Sequence, residues 1–215
     1  QYAAILPLTP HRVAPHKGSY DAIRIGSPIM EATGIHVGGC MTWVIDRAHT
    51  EVTFSVRHLM VSTVRGRFGA VEGTLVLDRD HAANSHVDVT IAVASIDTRN
   101  EQRDGHLRSA DFFDAENHPH ITFRSTSVVP AGGETYKVHG DLSIRGVTHP
   151  VTLDAQVLGF NTSPWGKHVV GFEGKTTISR KQWGLEWNVA LETGGVMVSD
   201  DVRITLDFEA IEEVA

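Results

Sequence analysis

The sequence predicts an all-β domain, with about eight antiparallel strands forming a barrel or a sandwich. Three observations predict it. Apolar residues recur at every second position in stretch after stretch, the period of a half-buried strand. In the clearest case Val202, Ile204, Leu206 and Phe208 alternate with Arg203, Thr205, Asp207 and Glu209. The stretches are evenly spaced and separated by polar turns, as antiparallel sheets require. Only two segments break the period, near residues 100–114 and 179–185, and both read as short helical turns.

Residues 1–41 differ from the rest. Pro7, Pro10 and Pro15 crowd the start, and alternation is weak. Tyr20–Ile25 and Ile29–Val37 suit an extra strand pair around Ser27-Pro28, and Gly38-Gly39 reads as a hinge. The main domain is expected over 42–215. From Trp43 the pattern becomes regular. Val52, Phe54, Val56 and His58 share one face of a strand, and Glu51, Thr53, Ser55 and Arg57 the other. A second strand is expected over Val61–Leu77. Val64, Gly66 and Phe68 lead its apolar face, then Val71, Gly73, Leu75 and Leu77. The parity flips at Gly69-Ala70, which predicts a bulge there.

Asp78–Ser85 is a polar turn, and Val87–Ile96 the next strand. The 100–114 segment follows. It sets Arg103, His106 and Arg108 among Glu101, Asp104, Asp111 and Asp114, with Leu107, Phe112 and Phe113 on an apolar side. A short helix laid over one mouth of the sheet fits this mixture. Strands then run from His118 to Val129, through Val138–Ile144, and from Val147 to Val157. Gly146 turns the chain between the last two. Asn161–Lys167 is a loop, and Val169–Ile178 a strand. Ser179 is a plausible N-cap for one helical turn.

Small residues recur on the inward parity: Gly66, Gly73, Gly140, Ala155 and Gly174. Glycine inside a strand marks a tight bend or room for something against the backbone. An eight-stranded barrel can fill with side chains or hold one ligand, and the pattern alone leaves both open.

Hydrophobic content of 41% and charged content of 21% are ordinary for a globular chain. The net charge of −7 argues against a nucleic-acid surface. No stretch approaches the length of a membrane span, although transient membrane contact stays open. The single cysteine, Cys40, allows no internal disulfide. No basic start followed by an apolar run is visible, which favours a cytoplasmic over a periplasmic or secreted location.

The sequence holds no nucleophile elbow, phosphate loop, dinucleotide fingerprint or zinc-protease helix motif. His118 and His120 lie two apart on a strand and could face one metal, but Pro119 between them argues for a strand start. Arg103, Asp104 and His106 could be an acid–base group, without a nucleophile or second carboxylate at a supporting spacing. Asn161-Thr-Ser163 matches the glycosylation pattern.

In order, the phrases of the chain resemble one family. Trp43-Val-Ile-Asp-Arg-Ala-His-Thr-Glu-Val-Thr-Phe-Ser-Val-Arg-His58 resembles the opening strand of the YceI-like family. Gly66-Arg-Phe68 with Glu72-Gly73 resembles its second strand. Arg103-Asp-Gly-His-Leu-Arg-Ser-Ala-Asp-Phe-Phe-Asp114 is its most specific phrase. His118–Ser125, Gly140–Thr148 and Ile178–Gly184 complete the run. The resemblance spans about 42–211 and leaves residues 1–41 uncovered. It implies an extended, lipocalin-like eight-stranded antiparallel barrel. It also implies a lipid binder rather than a catalyst, holding a polyisoprenoid or quinone-like chain in a tunnel. No metal or other cofactor is implied, and a homodimer is possible.

Strand parity names the lining of such a tunnel: Phe54, Val56, Phe68, Val89, Ile91, Phe123, Leu142, Phe172, Ile204 and Leu206. His58, Arg103 and His106 are the candidates for the mouth or the ligand head, with Phe113 and Trp183 as gates. A filled interaction module and a His/Asp or metal-dependent enzyme are the alternatives. The first requires a packed barrel with an exposed apolar patch. The second requires clustered His and carboxylate groups of perturbed acidity.

Overall fold

The computed structural model describes residues 40–190 and 195–213. The expected hairpin of residues 20–37 and the Gly38-Gly39 hinge lie outside the described residues. Among the described residues there are eleven strands and one α-helix: β1 (Met41–Ile45), β2 (Glu51–His58), β3 (Ser62–Phe68), β4 (Val71–Leu77), β5 (His86–Ala92), β6 (Ile96–Asp97), α1 (Glu101–Arg108), β7 (His120–Gly132), β8 (Thr135–Ile144), β9 (Val147–Thr162), β10 (His168–Ser179) and β11 (Val198–Glu212).

Every pairing is antiparallel. The order β1-β4-β5-β7-β8-β9-β10-β11 closes on itself through β1–β11, with Val44 opposite Ile211. The result is a closed eight-stranded barrel. Closure removes the free edges that an open sheet would present. β2 and β3 continue β1 and β4 past two breaks, and lengthen the wall at one end beside β11. The parity flip at Gly69-Ala70 is one of those breaks. It is a full interruption between strands rather than the expected bulge, with Phe68 and Val71 buried on either side of it.

Two kinds of closure meet at the end where β2 and β3 project. α1 begins at Asn100, whose side chain accepts from the Arg103 backbone N–H, as an N-cap should. A single helical turn at Arg180–Trp183 covers the other side and ends on Gly184 with φ 70°. The opposite end is finished by the 78–85 loop and by the β7–β8 and β9–β10 turns.

Inward glycines carry aromatic rings. A Cβ on Gly66 would overlap the ring of Phe54, and one on Gly140 would overlap the ring of Phe123. Phe54 is directly opposite Gly66 in the β2–β3 ladder. Each ring therefore lies flat along the wall instead of projecting across the lumen. This is the local reason that a barrel rich in phenylalanine stays open at its centre.

Candidate functional site: an apolar cavity along the barrel

An elongated cavity of about 810 Å³ runs through the barrel, lined by residues from all of its eight strands. β11 alone contributes Val202, Ile204, Leu206, Phe208 and Ala210. They span roughly 26 Å of strand at about 3.3 Å per residue, or about 20 Å along the axis at a barrel's usual tilt. The lining then continues past β11 in both directions, to His58 and Trp187 at the α1 end and to Tyr136 and Phe160 at the other.

The ten residues named from strand parity all face this cavity. Phe54 and Val56 come from β2, Phe68 from β3, Val89 and Ile91 from β5, and Phe123 from β7. Leu142, Phe172, Ile204 and Leu206 come from β8, β10 and β11. The pleat accounts for the agreement, because alternate side chains of a closed sheet must point inward.

The polar residues divide differently. His58 ends β2 and lines the cavity, half-buried. Arg103 also lines it, but its side chain is engaged: Nε donates to Thr98 Oγ1 at 2.7 Å and Nη2 to the Thr98 carbonyl at 2.7 Å. His106 Nε2 lies 3.0 Å from Asp111 Oδ2, and its ring sits edge-on to Trp187 and Phe112. Phe113 packs against Phe68 and reaches the cavity. Trp183 does not. It is wholly buried, its indole N–H donates to the Leu142 carbonyl at 3.0 Å, and His149 stands against its ring. It is a fixed core residue held against the paired Leu142 and His149 of β8 and β9 rather than a gate.

The 98–114 segment serves the backbone. Buried Asp104 accepts from both the N–H and the hydroxyl of Thr98. Arg108 donates to the carbonyls of Ala94 and Ile96. Arg145 reaches from the β8–β9 turn to the carbonyls of Ala110 and Gly184. Arg180 holds the carbonyls of Ser199, Leu185 and Trp187, and burial lowers its pKa against the pull of Asp200. The acid–base group suggested by Arg103, Asp104 and His106 is thus not assembled on the cavity, which Asp104 does not line.

Sequence reading missed Phe160, Arg79 and Trp187. Phe160 escapes strand parity because β9 shifts register near Gly159, where φ is 146°. That shift turns an even-numbered residue inward after Val151, Leu153, Ala155 and Val157. Arg79 stands over the Phe160 ring with Cζ 4.2 Å from its centroid, a cation–π contact at the end opposite α1. Trp187 belongs to no strand and has no sequence signal of this kind.

Among the described residues His118 and His120 belong to no group of three metal-ligating side chains. Among the described residues one group, Asp46, His49 and Glu209, brings three donor atoms within metal-binding reach, and it lies off the cavity. His49 Nδ1 is 2.9 Å from Asp46 Oδ2 and 3.7 Å from Glu209 Oε1. The His49 hydrogen bond and the Ala48 N–H hold Asp46 below its ordinary pKa, and Asp46 in turn raises that of His49. A hydrogen-bonded turn accounts for the cluster. No helix among the described residues is long and apolar enough to cross a membrane.

Known proteins share this architecture. Residues 43–210 match the YceI-like domain. A UPF0312 protein of Staphylococcus epidermidis is 40% identical over 169 residues, covering 78% of this chain and 94% of its own. A UPF0312 protein of Staphylococcus aureus is 39% identical over 172 residues, covering 80% and 95%. Among solved structures, Burkholderia cenocepacia BcnA superimposes with a TM-score of 0.66 at 27% identity, covering 77% of this chain and 98% of its own. The Campylobacter jejuni YCEI protein gives 0.64 at 32% identity, covering 74% and 90%. A polyisoprenoid-binding domain from Saccharophagus degradans gives 0.59 at 15% identity, covering 81% and 100%, a likeness of fold alone. With the breaks and the helical caps inside the matched span, and the barrel reaching only two residues past it at each end, the chain belongs to the YceI-like family.

Proposed function

We propose that this domain binds one extended isoprenoid lipid, a polyprenyl chain or an isoprenoid quinone, with its tail in the barrel cavity. The observation that carries this reading is the cavity itself: long, narrow and walled by apolar side chains. Such a lumen offers an apolar chain burial at roughly 25 cal/mol per Å² and offers a polar ligand few partners. The polyisoprenoid-binding description of the Saccharophagus degradans domain adds support from the same fold. Holding a lipid away from water suits storage or carriage between membranes. An acid–base enzyme has less support, because Asp104 is turned onto Thr98.

The lumen can be filled to test this. Gly174 lies beside Leu206, with the Leu206 side chain 3.1 Å from where a Cβ would stand. Leu206→Trp places a larger ring in mid-cavity. The expected result is a folded protein from which organic extraction recovers little or no prenyl lipid, while the wild type yields it in near-stoichiometric amount. Equal lipid in both proteins would contradict the placement of the ligand.

A further inference from the structure

We propose that the α1 end of the barrel docks on an anionic lipid bilayer through the tip of the β2–β3 hairpin. Leu59, Met60 and Val61 enter the acyl region, and Arg57, Arg65 and Arg203 meet the lipid phosphates. The inference rests on the lipid-binding reading for its purpose, but not for its geometry.

The tip is apolar where a tip should be polar. Leu59, Met60 and Val61 are consecutive and expose 37%, 57% and 79% of their surface. They form the three-residue loop between His58 and Ser62, in which Val61 N–H donates to the His58 carbonyl at 3.1 Å. Leu59 and Met60 hold φ of 50° and 60°, the left-handed region in which hairpin turns favour Asn and Gly. Bulky side chains in that conformation are costly to the fold. Local stability therefore gives no reason for them, whereas contact with an apolar phase does.

The patch continues into its neighbours and into the cavity. Leu59 N–H donates to the Met197 carbonyl at 2.8 Å, and Met197 N–H to the Val189 carbonyl at 2.9 Å. Val189 is 41% exposed and widens the patch. His58, Met197 and Val198, immediately behind it, line the cavity. A bilayer touching this tip would meet the cavity wall directly, so an apolar chain could pass between them with little exposure to water.

Charge complements the patch. In the ladder Arg203 stands opposite Ser55, and Ser55 opposite Arg65. Arg57 lies two residues nearer the tip on the same outward face. All three are exposed, and none makes an ion pair among the described residues. The Arg57 guanidinium donates to the Thr63 hydroxyl, at 3.2 Å. In a chain of net charge −7 this is a local cationic strip on one side of the apolar tip, in which three arginines outnumber the exposed Asp201 beside them, the pairing that anchors a protein at an anionic membrane surface.

Co-sedimentation of the full chain with phosphatidylcholine vesicles, with and without phosphatidylglycerol, tests the proposal. Wild type is expected to bind the phosphatidylglycerol vesicles and to release them as salt rises. Met60→Glu with Val61→Glu is expected to weaken binding on the order of tenfold or more. Arg57→Gln, Arg65→Gln and Arg203→Gln, which leave the turn intact, are each expected to weaken it about fivefold. Trp165→Ser, at a tip 85% exposed at the opposite end, should change nothing.

The proposal is overturned if the wild type ignores these vesicles, if the glutamate and glutamine variants bind as well as wild type, or if Trp165→Ser abolishes binding. A dimer lost in the glutamate variant, without vesicle binding, assigns the patch to a second copy and also overturns it. Lipid retained inside the barrel is read separately by extraction. Its absence from wild type refutes the interior-lipid reading alone, and failure on vesicles refutes the docking alone.

Discussion

The barrel wall and the cap at its α1 end solve opposite problems with different residues. The wall needs only an inward apolar face, which the pleat supplies, and its glycines let Phe54 and Phe123 lie flat so that the lumen stays open. The cap must bury irregular backbone, whose carbonyls and N–H groups cannot pair in a ladder. It does so with charged side chains: Arg103 on Thr98, Arg108 on Ala94 and Ile96, Arg145 on Ala110 and Gly184, and Arg180 on three further carbonyls. The lesson is that a cluster of cations beside a ligand cavity can belong to the scaffold. Substitutions in the cap should cost stability and spare the ligand, and substitutions in the wall should cost ligand more than stability.

The largest expected effect breaks the cap. Trp183→Ala removes a wholly buried ring and leaves the Leu142 carbonyl without its indole donor. It should destabilise the protein by about 3–5 kcal/mol in urea unfolding, while the folded fraction keeps its lipid. Asp104→Ala should cost less, about 1–3 kcal/mol, because Thr98 loses the acceptor for its buried N–H and hydroxyl. If either variant instead lost lipid at full stability, the division between cap and wall would fail.

Changes in the wall sharpen the comparison. Gly140→Ala puts a methyl group where the Phe123 ring lies and only 2.6 Å from the Arg124 carbonyl oxygen. Overpacking of this kind costs about 1–3 kcal/mol, and the displaced ring has the lumen to move into. Lipid content should fall more steeply than stability, as extraction and thermal melts on one preparation would reveal.

The smallest effect is on pH. Asp46 is held below its ordinary pKa by His49 and the Ala48 N–H. Asp97 is lowered by the Arg99 N–H and by Arg67. A carboxyl with a depressed folded pKa contributes stability that is complete above its unfolded value of about 3.9 and is lost as pH falls through the folded value. Asp46→Asn and Asp97→Asn should therefore lower stability modestly at neutral pH, and the difference from wild type should disappear as pH falls below about 4, which flattens the acid limb of the stability curve. Both residues lie outside the cavity lining, so lipid content should not respond.

How much was legible in the sequence follows from the same contrast. Period two alone located the strands and turned ten named side chains inward, because nothing but the pleat decides that. It failed at Phe160, where a register shift in β9 reverses the parity and Gly159, at φ 146°, is the one local sign of it. It failed again in the cap. Trp183 reads from residue type as a gate, yet it is off the cavity with its indole held by the Leu142 carbonyl, and Arg103 does line the cavity but with its guanidinium engaged by Thr98. Those partners are far enough away in the chain, or irregular enough in backbone, that no local pattern records them. The split of 61–77 into β3 and β4 was legible as a parity flip but not as a full break.

Native mass spectrometry of the freshly purified full chain, followed by uptake of a long-chain prenol, tests the central claim most directly. A single added mass that extraction identifies as an isoprenoid, or saturation at one prenol per barrel, is the expected result. A bare chain mass that stays bare after incubation with excess prenol would contradict a lipid-holding cavity.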